Sequence, residues 1–340
     1  MRHTFRTLAP TLRLATSASN AVPVQHTATT IAINCPINSV PSLLYVRAPR
    51  QIRGTLFGRK ITKKLGNVEK IPIYRPCSNK KNVYLCIIFT HLTIVYIIAM
   101  EAEARPFISH FGVEEAKGFF EPLPCKLFSA DLDRSDTRAP HGPGDKLYVV
   151  LNGRQHGTDL VGCEAACVAT MAAIQKLNPD LVVNSGTCGA FQSNGAEIAQ
   201  VYLGNGAMFH DRRVPGDDAW GTQALGNYPV WDGTAEIARR LSLPMGKVTT
   251  GSSLDMQPCD REIIMANDGA LKDMEGAAVA FVCSLYNVPV LFVKSVTDLC
   301  DNGAETYEEF SQNLARASEE LNKANVRIIE EIRNLCCSNS

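Results

Sequence analysis

Several acidic side chains stand just past apolar or β-branched runs. Glu101 and Glu103 follow "TIVYIIA" (93–99), Glu275 follows "LKDM", and Asp298 ends "VPVLFVKSVTD" (288–298). A glycine turn, "SGTCGAF", follows "DLVVN" and carries Gly186, Thr187, Cys188 and Gly189; "SSLDM" (252–256) follows "KVTTG". In parallel α/β folds, ligand groups collect outside the carboxyl ends of the strands. A single acid at such a place is explained as a helix N-terminal charge stabilised by the helix dipole. That explanation covers Glu101 fully and strains when Glu103, Glu275 and Asp298 stand on one sheet edge together. Carboxylates sharing a cleft suit cleavage of a glycosidic bond: one activates water, another protonates the leaving group, and the transition state is oxocarbenium-like. A half-buried strand end raises the pKa of an acid that must donate near neutrality. The glycine turn offers backbone N–H groups and a hydroxyl to a small polar ligand. "LGNGAMF" lacks the third glycine of a dinucleotide fingerprint and sits in a strand context, so it is set aside.

The elements that must position these groups alternate. Strands are expected at 93–99, 146–153, 180–186, 199–209, 246–253, 271–275 and 288–298. Helices are expected at "EAEARPFISHFG", over 160–178 before Pro179, over 233–243, at "DREIIMAND", at "GAAVAFVCSLYN", and over 305–335 as a long amphipathic segment. This alternation specifies an α/β fold: a mixed, largely parallel central sheet flanked by helices. "TIVYIIA" and "VPVLFV" are continuous apolar runs, as strands covered on both faces must be. A run from Val83 to Met100 without formal charge admits a membrane span over 83–100 as an alternative. Thr90, His91 and Thr93 interrupt its middle, where polar groups are costly in lipid, and a buried strand is preferred.

A formal net charge of zero conceals a split chain: residues 1–90 hold fourteen Lys and Arg against the single acid Glu69, so the remainder is acidic. The segment 1–90 is read as a basic, disordered extension, and 91–336 as the catalytic domain. The head is rich in Arg, Ser, Thr and Ala, which fits an organellar transit peptide, a disordered tail, or upstream sequence translated through a faulty gene model. The compartment is therefore cytoplasmic, or organellar if the head is a transit peptide. "GRKITKKLGNVEK" has no nucleic-acid module around it and is read as a solvated tail. The twelve Cys form no CxxC pair or zinc spacing, so no metal and no redox cofactor are expected.

Six stretches, "AMEAEARP" (99–106), "NSGTCGAF" (184–191), "FHDRRVP" (209–215), "TGSSLDM" (250–256), "KDMEGAAVAFV" (272–282) and "VKSVTDL" (293–299), occur in an order and spacing that resembles the 5′-methylthioadenosine nucleosidases, plant type. These belong to the nucleoside phosphorylase/hydrolase superfamily. The match runs from about Leu92 to Leu335. It implies a three-layer fold, a homodimer, and hydrolysis of methylthioadenosine to adenine and methylthioribose in methionine salvage, with S-adenosylhomocysteine as a further substrate. By the same resemblance Glu103 activates the water, Asp298 protonates adenine N7 with Thr297 orienting it, and Glu275 binds the ribose hydroxyls with Met274 packing on the sugar. Thr187 and Gly189 form the turn near ribose and water, and Leu254 and Asp255 hold the adenine, the latter through its backbone. No nucleic acid is an expected partner.

Two alternatives stay open: a phosphate-dependent phosphorylase, and a decayed storage protein of the same fold. Asn184 stands where phosphorylases of the superfamily place an Arg; Arg212 and Arg213 are candidate phosphate ligands, read rather as a loop or subunit contact. All three carboxylates are present, against decay. Ser252 replaces the family's usual Asp, Thr158 replaces an aliphatic residue, and loop 211–232 matches poorly. His210 is left out of the catalytic set.

Overall fold

The computed structural model describes residues 92–132, 144–214 and 218–338, together with the strand backbone of four short segments before them. The chain divides into two units, Met1–Ile71 and Pro72–Ser340. In the first, β1 (Thr30–Ile31) pairs antiparallel with β2 (Val46–Arg47). In the second, β3 (Pro76–Asn79) pairs antiparallel with β4 (Asn82–Leu85). The transit-peptide reading and the basic stretch at 59–70 otherwise fall outside the described residues.

The remaining strands are β5 (Thr93–Ile98), β6 (Glu114–Glu115), β7 (Lys126–Leu132), β8 (Asp145–Leu151), β9 (Arg154–Gln155), β10 (Thr158–Asp159), β11 (Leu181–Ala190), β12 (Val201–Phe209), β13 (Met245–Thr250), β14 (Gly269–Asp273) and β15 (Val290–Leu299). The helices are α1 (Glu101–Phe111), α2 (Cys163–Leu177), α3 (Asp218–Leu225), α4 (Thr234–Leu241), α5 (Pro258–Ala266), α6 (Gly276–Tyr286) and α7 (Thr306–Ser338). Nine strands form one mixed sheet in the order β14-β13-β12-β15-β11-β5-β8-β7-β6. Its middle, from β15 through β11 and β5 to β8, is parallel, as the alternating pattern requires. A further antiparallel pairing of Gly189–Ala190 with Lys272–Leu271 joins β11 to β14. The strands β11, β15, β12, β13 and β14 therefore close into a ring.

Strand β5 is buried along its whole length. One face of the sheet is covered by α2 and α6, with Val95, Ile97, Val182 and Phe292 against Ala166, Ala173 and Val279. The other is covered by α1, α4 and α7, with Ile94, Tyr96 and Val293 against Phe107, Ile237, Leu321 and Ile328. The central strands β5, β11 and β15 have apolar residues on both faces, which is why these runs read as continuous rather than alternating. Residues 93–98 are thus a central strand. Among the described residues no helix is long and apolar enough to cross a membrane.

Most expected elements are found within a few residues of their expected bounds; the glycine-turn strand is longer, 181–190 against the expected 180–186. Two regions differ. Strand β7, "KLFSADL", pairs antiparallel with β8 and carries the two-residue edge strand β6 on its other side, where no strand was expected. Helix α3 lies inside loop 211–232.

Candidate active site

A cavity of about 200 Å³ opens at the carboxyl ends of β5, β11, β13, β14 and β15. Glu103, Thr187, Gly189, Leu254, Met274, Glu275, Thr297 and Asp298 all line it, joined by Met100, Val161, Cys188, Lys272, Asp273, Tyr307 and Phe310. Asp255 does not. Its side chain is exposed and accepts a 2.5 Å hydrogen bond from Gln257 Nε2.

Glu103 is the third residue of α1, whose first turn β5 delivers directly into the cavity. Thr187 donates twice to Glu103 Oε1, from its backbone N–H at 2.6 Å and its hydroxyl at 2.7 Å. Met100 N–H donates to Oε2 at 3.2 Å, so the side chain also caps the helix that carries it. Only 4% of Glu103 is exposed. Burial raises its pKa above the usual carboxylate range, and the Thr187 donors, the Lys294 charge and the Met100 N–H oppose this in part. The approach at Gly186 is close: a Cβ there would lie 3.2 Å from Glu103 Oε1, so a larger residue would press on the carboxylate.

Glu275 stands at the N-terminus of α6 and reaches the N-terminus of α2, accepting from Gly162 N–H at 2.7 Å. Burial, and then the charge of Asp273, push its pKa up to about 7, while Lys294 opposes. Lys294 is 1% exposed and pairs with Asp273 Oδ2 at 2.6 Å. Burial disfavours its ammonium, but Asp273 and Glu275 outweigh that and keep it charged. Asp273 also accepts from Thr250 Oγ1 at 2.5 Å and Gly276 N–H at 2.9 Å, so both its carboxylate oxygens are hydrogen-bonded, which offsets the cost of burying the pair.

Asp298 is 5% exposed and lies 2.8 Å from the Thr297 hydroxyl. Burial raises its pKa; Thr297 and the Lys272 charge pull it back. A Cβ on Gly189 would sit 2.7 Å from both Asp298 Oδ2 and Cys300 Sγ, so only glycine fits there. Lys272 donates to the carbonyls of Ser253 (2.9 Å) and Leu254 (2.8 Å), holding segment 252–256 over the cavity. Ser252 is exposed, and its N–H donates to Asp211 Oδ2 at 2.8 Å.

The remaining candidates lie outside the cavity. Arg213 pairs with Asp260 at 2.6 Å, and Arg212 stacks on Phe209 with its guanidinium carbon 3.9 Å from the ring centroid. Thr158 is exposed on β10, and it is Val161 that lines the cavity on that side. His210 is buried, and burial lowers its pKa. Among the described residues no three His, Cys, Asp or Glu side chains group as a metal site. Lys294 and Asp273 were not foreseen, although a lysine inside the run "VLFVKSV" is a readable signal: a charge in a strand buried on both faces needs a partner.

One cavity thus brings together a buried carboxylate that accepts from three donors, a second carboxyl with a raised pKa against a threonine, and a third beside a buried ion pair. The phosphorylase superfamily profile matches residues 93–330. The chain is 40% identical over 251 residues to 5′-methylthioadenosine nucleosidase of Arabidopsis thaliana, spanning 72% of this chain and 89% of the relative. It is 36% identical over 255 residues to the 5′-methylthioadenosine/S-adenosylhomocysteine nucleosidase of the same plant, spanning 72% and 94%. Its fold superimposes on the solved apo structure of the Arabidopsis thaliana 5′-methylthioadenosine nucleosidase with a TM-score of 0.65 at 38% identity, covering 71% of this chain and 95% of that one. The chain belongs to the phosphorylase superfamily and, within it, to the 5′-methylthioadenosine nucleosidases.

Proposed function

We propose that the chain hydrolyses the N-glycosidic bond of 5′-methylthioadenosine to adenine and 5-methylthioribose, a methionine-salvage step, with residues 91–336 as the catalytic unit. The observation that carries this reading is the meeting of Glu103, Glu275 and Asp298 in one cavity. Glu103 takes a proton from water as the oxygen attacks C1′. Asp298 gives a proton to N7, which makes adenine a competent leaving group as the C1′–N9 bond breaks. Glu275 accepts hydrogen bonds from the ribose hydroxyls and stabilises the ribosyl cation character. Met274 packs on the sugar, Thr187 and Gly189 border ribose and water, and Leu254 and the backbone at Asp255 hold the base.

Water is favoured over phosphate as the attacking group. Lys272, the cation that lines the cavity, is engaged by carbonyls, the buried Lys294 is engaged by Asp273, and Glu103 repels an anion. The full chain is expected to release adenine and free sugar at the same rate with and without phosphate. A phosphate requirement, with a sugar phosphate as product, would reverse this reading.

The mouth of the cavity carries Val161, Tyr307 and Phe310, an apolar rim suited to a methylthio group. The zwitterionic end of S-adenosylhomocysteine would lose hydration there. Its kcat/KM is expected to be lower by at least about tenfold; equal values for the two substrates would refute the preference.

A homodimer is supported by the exposed apolar side chains of Val168 and Met171 on α2, with Val161 just before it and Leu285 and Tyr286 at the end of the neighbouring α6. Light scattering of the full chain is expected to give twice the chain mass, and a monomer mass would remove the idea. The compartment we infer is cytoplasmic, or organellar if residues 1–90 act as a transit peptide. Fluorescence from a fusion of residues 1–90 discriminates the two.

A further inference from the structure

Eight buried side chains among the described residues carry a polar atom without a hydrogen-bond partner. Four of them belong to α7 or to the sheet face it covers: Ser318 Oγ and Asn322 Oδ1 on α7, Tyr96 Oη in the core beneath it, and Ser295 Oγ on β15, two residues on from the core residue Val293. Orphaned oxygens are rare in folded proteins, and such groups usually bind ordered water. Their clustering on one layer asks what that water would serve.

Their placement points to the base. Ser295 is the register partner of Thr187 on the neighbouring parallel strand. Side chains at matched positions project from the same face, so the Ser295 hydroxyl stands beside the threonine that donates to Glu103. Helix α7 is pinned above this row at two points. Asn313 Nδ2 donates to Thr297 O at 3.0 Å, and Asn325 Nδ2 to Ser185 Oγ at 2.8 Å. Ser318 lies between those points along α7 and is buried, at 2% exposure.

Ser318 also has a second surface. It lines a groove of about 520 Å³ between α1 and α7, whose other walls include the charged Glu101, Arg105, Arg154 and Asp159. The first turn of α1 stands between the two spaces: Glu101 and Ala102 line the groove, Met100 and Glu103 line the nucleoside cavity, and the charged walls of the groove keep it hydrated.

We propose that Ser318 and Ser295 hold ordered water between the α1–α7 groove and Glu103, giving the base a rear connection to solvent that stays open while the nucleoside fills the main cavity. This rests on the reading of Glu103 as the base. The balance of each turnover creates the need. Water oxygen bonds to C1′, one water proton goes to Glu103, and the Asp298 proton leaves with adenine. Glu103 must then return a proton to solvent, and Asp298 must regain one. The rear water discharges Glu103, and Asp298 is recharged from the front once adenine departs. Ser295 and Ser318 are positioning residues in this scheme, since neither touches the substrate.

The test compares Ser295→Ala and Ser318→Val with the full-length chain, reading kcat, KM, thermal midpoint and the pH profile. The groups facing Glu103 are Lys294 and Glu275 together with the Thr187 and Met100 donors, and both substitutions leave these residues in place. Both variants are expected to lose about tenfold in kcat with KM unchanged. The acid limb of the profile should move to higher pH, because a water donating to the carboxylate has been removed. Unchanged kcat and pH profile with a raised thermal midpoint would mean a dry layer and would overturn the proposal. A crystal structure of the wild-type chain gives a readout free of folding effects: waters within hydrogen-bond reach of Ser295 Oγ and Ser318 Oγ support the rear connection, and bare serines refute it. Glu103→Gln in the same assay isolates the underlying reading, since full activity there would sink the base assignment whatever the serines hold.

Discussion

Glu103→Gln lowers kcat by roughly 10²–10⁴-fold with little change in KM, the range for loss of a general base. Glutamine keeps the shape and an oxygen that accepts from Thr187, and it is a competent third residue of a helix cap, so α1 stays folded. What is lost is the ability to take a proton from water. The wild-type pH profile carries the same information. Burial raises the pKa of Glu103, and activity needs its ionised form, so the rate falls as pH falls through that raised value. A Glu103→Gln enzyme within threefold of wild type, and correctly folded by its thermal midpoint, would remove this residue from the mechanism.

Asp298→Asn has an effect of similar size, about 10²–10⁴-fold in kcat, through the opposite end of the bond. Asparagine cannot deliver a proton to N7, and adenine leaves poorly without it. The sign of the pH dependence is also opposite. Asp298 must be protonated to act, and burial raises its pKa, so the wild-type rate falls as pH rises through that value. The two carboxyls therefore set the two limbs of a bell, and each variant should flatten one limb of its residual activity. A substrate whose leaving group needs no protonation should be cleaved by Asp298→Asn almost as fast as by wild type. If that substrate is slowed as severely as methylthioadenosine, Asp298 is not the acid.

Much of this site was legible because strand ends are legible. "TIVYIIA", "DLVVN" and "VPVLFV" are continuous apolar runs of the kind that only a strand covered on both faces sustains, and the polar residues that stop them mark the edge where ligands bind. Edge elements were harder. Strand β7 is short, exposed on one side and alternates weakly, and α3 lies in a stretch rich in Gly, Pro and Asp. Asp255 shows a different limit. A motif can place a backbone segment beside a ligand, yet the direction of one side chain depends on local partners, here Gln257. Lys294 and Asp273 went unread because attention to strand ends passes over charges within strands, where the lysine meets its partner only after β14 and β15 have been brought into one ring.

That ring, closed where Gly189 and Ala190 meet Lys272 and Leu271, has a consequence for how the enzyme can change. The span between Asp298 on β15 and Glu275 after β14 is a circumference, fixed by strand number and stagger. No single substitution can lengthen one arc without opening the circuit. Tolerance for a bulkier nucleoside must therefore be acquired off the hoop, in segment 252–256, the turn before α2 and the first turn of α7, and divergence in substrate choice should accumulate there while the hoop itself keeps its gauge.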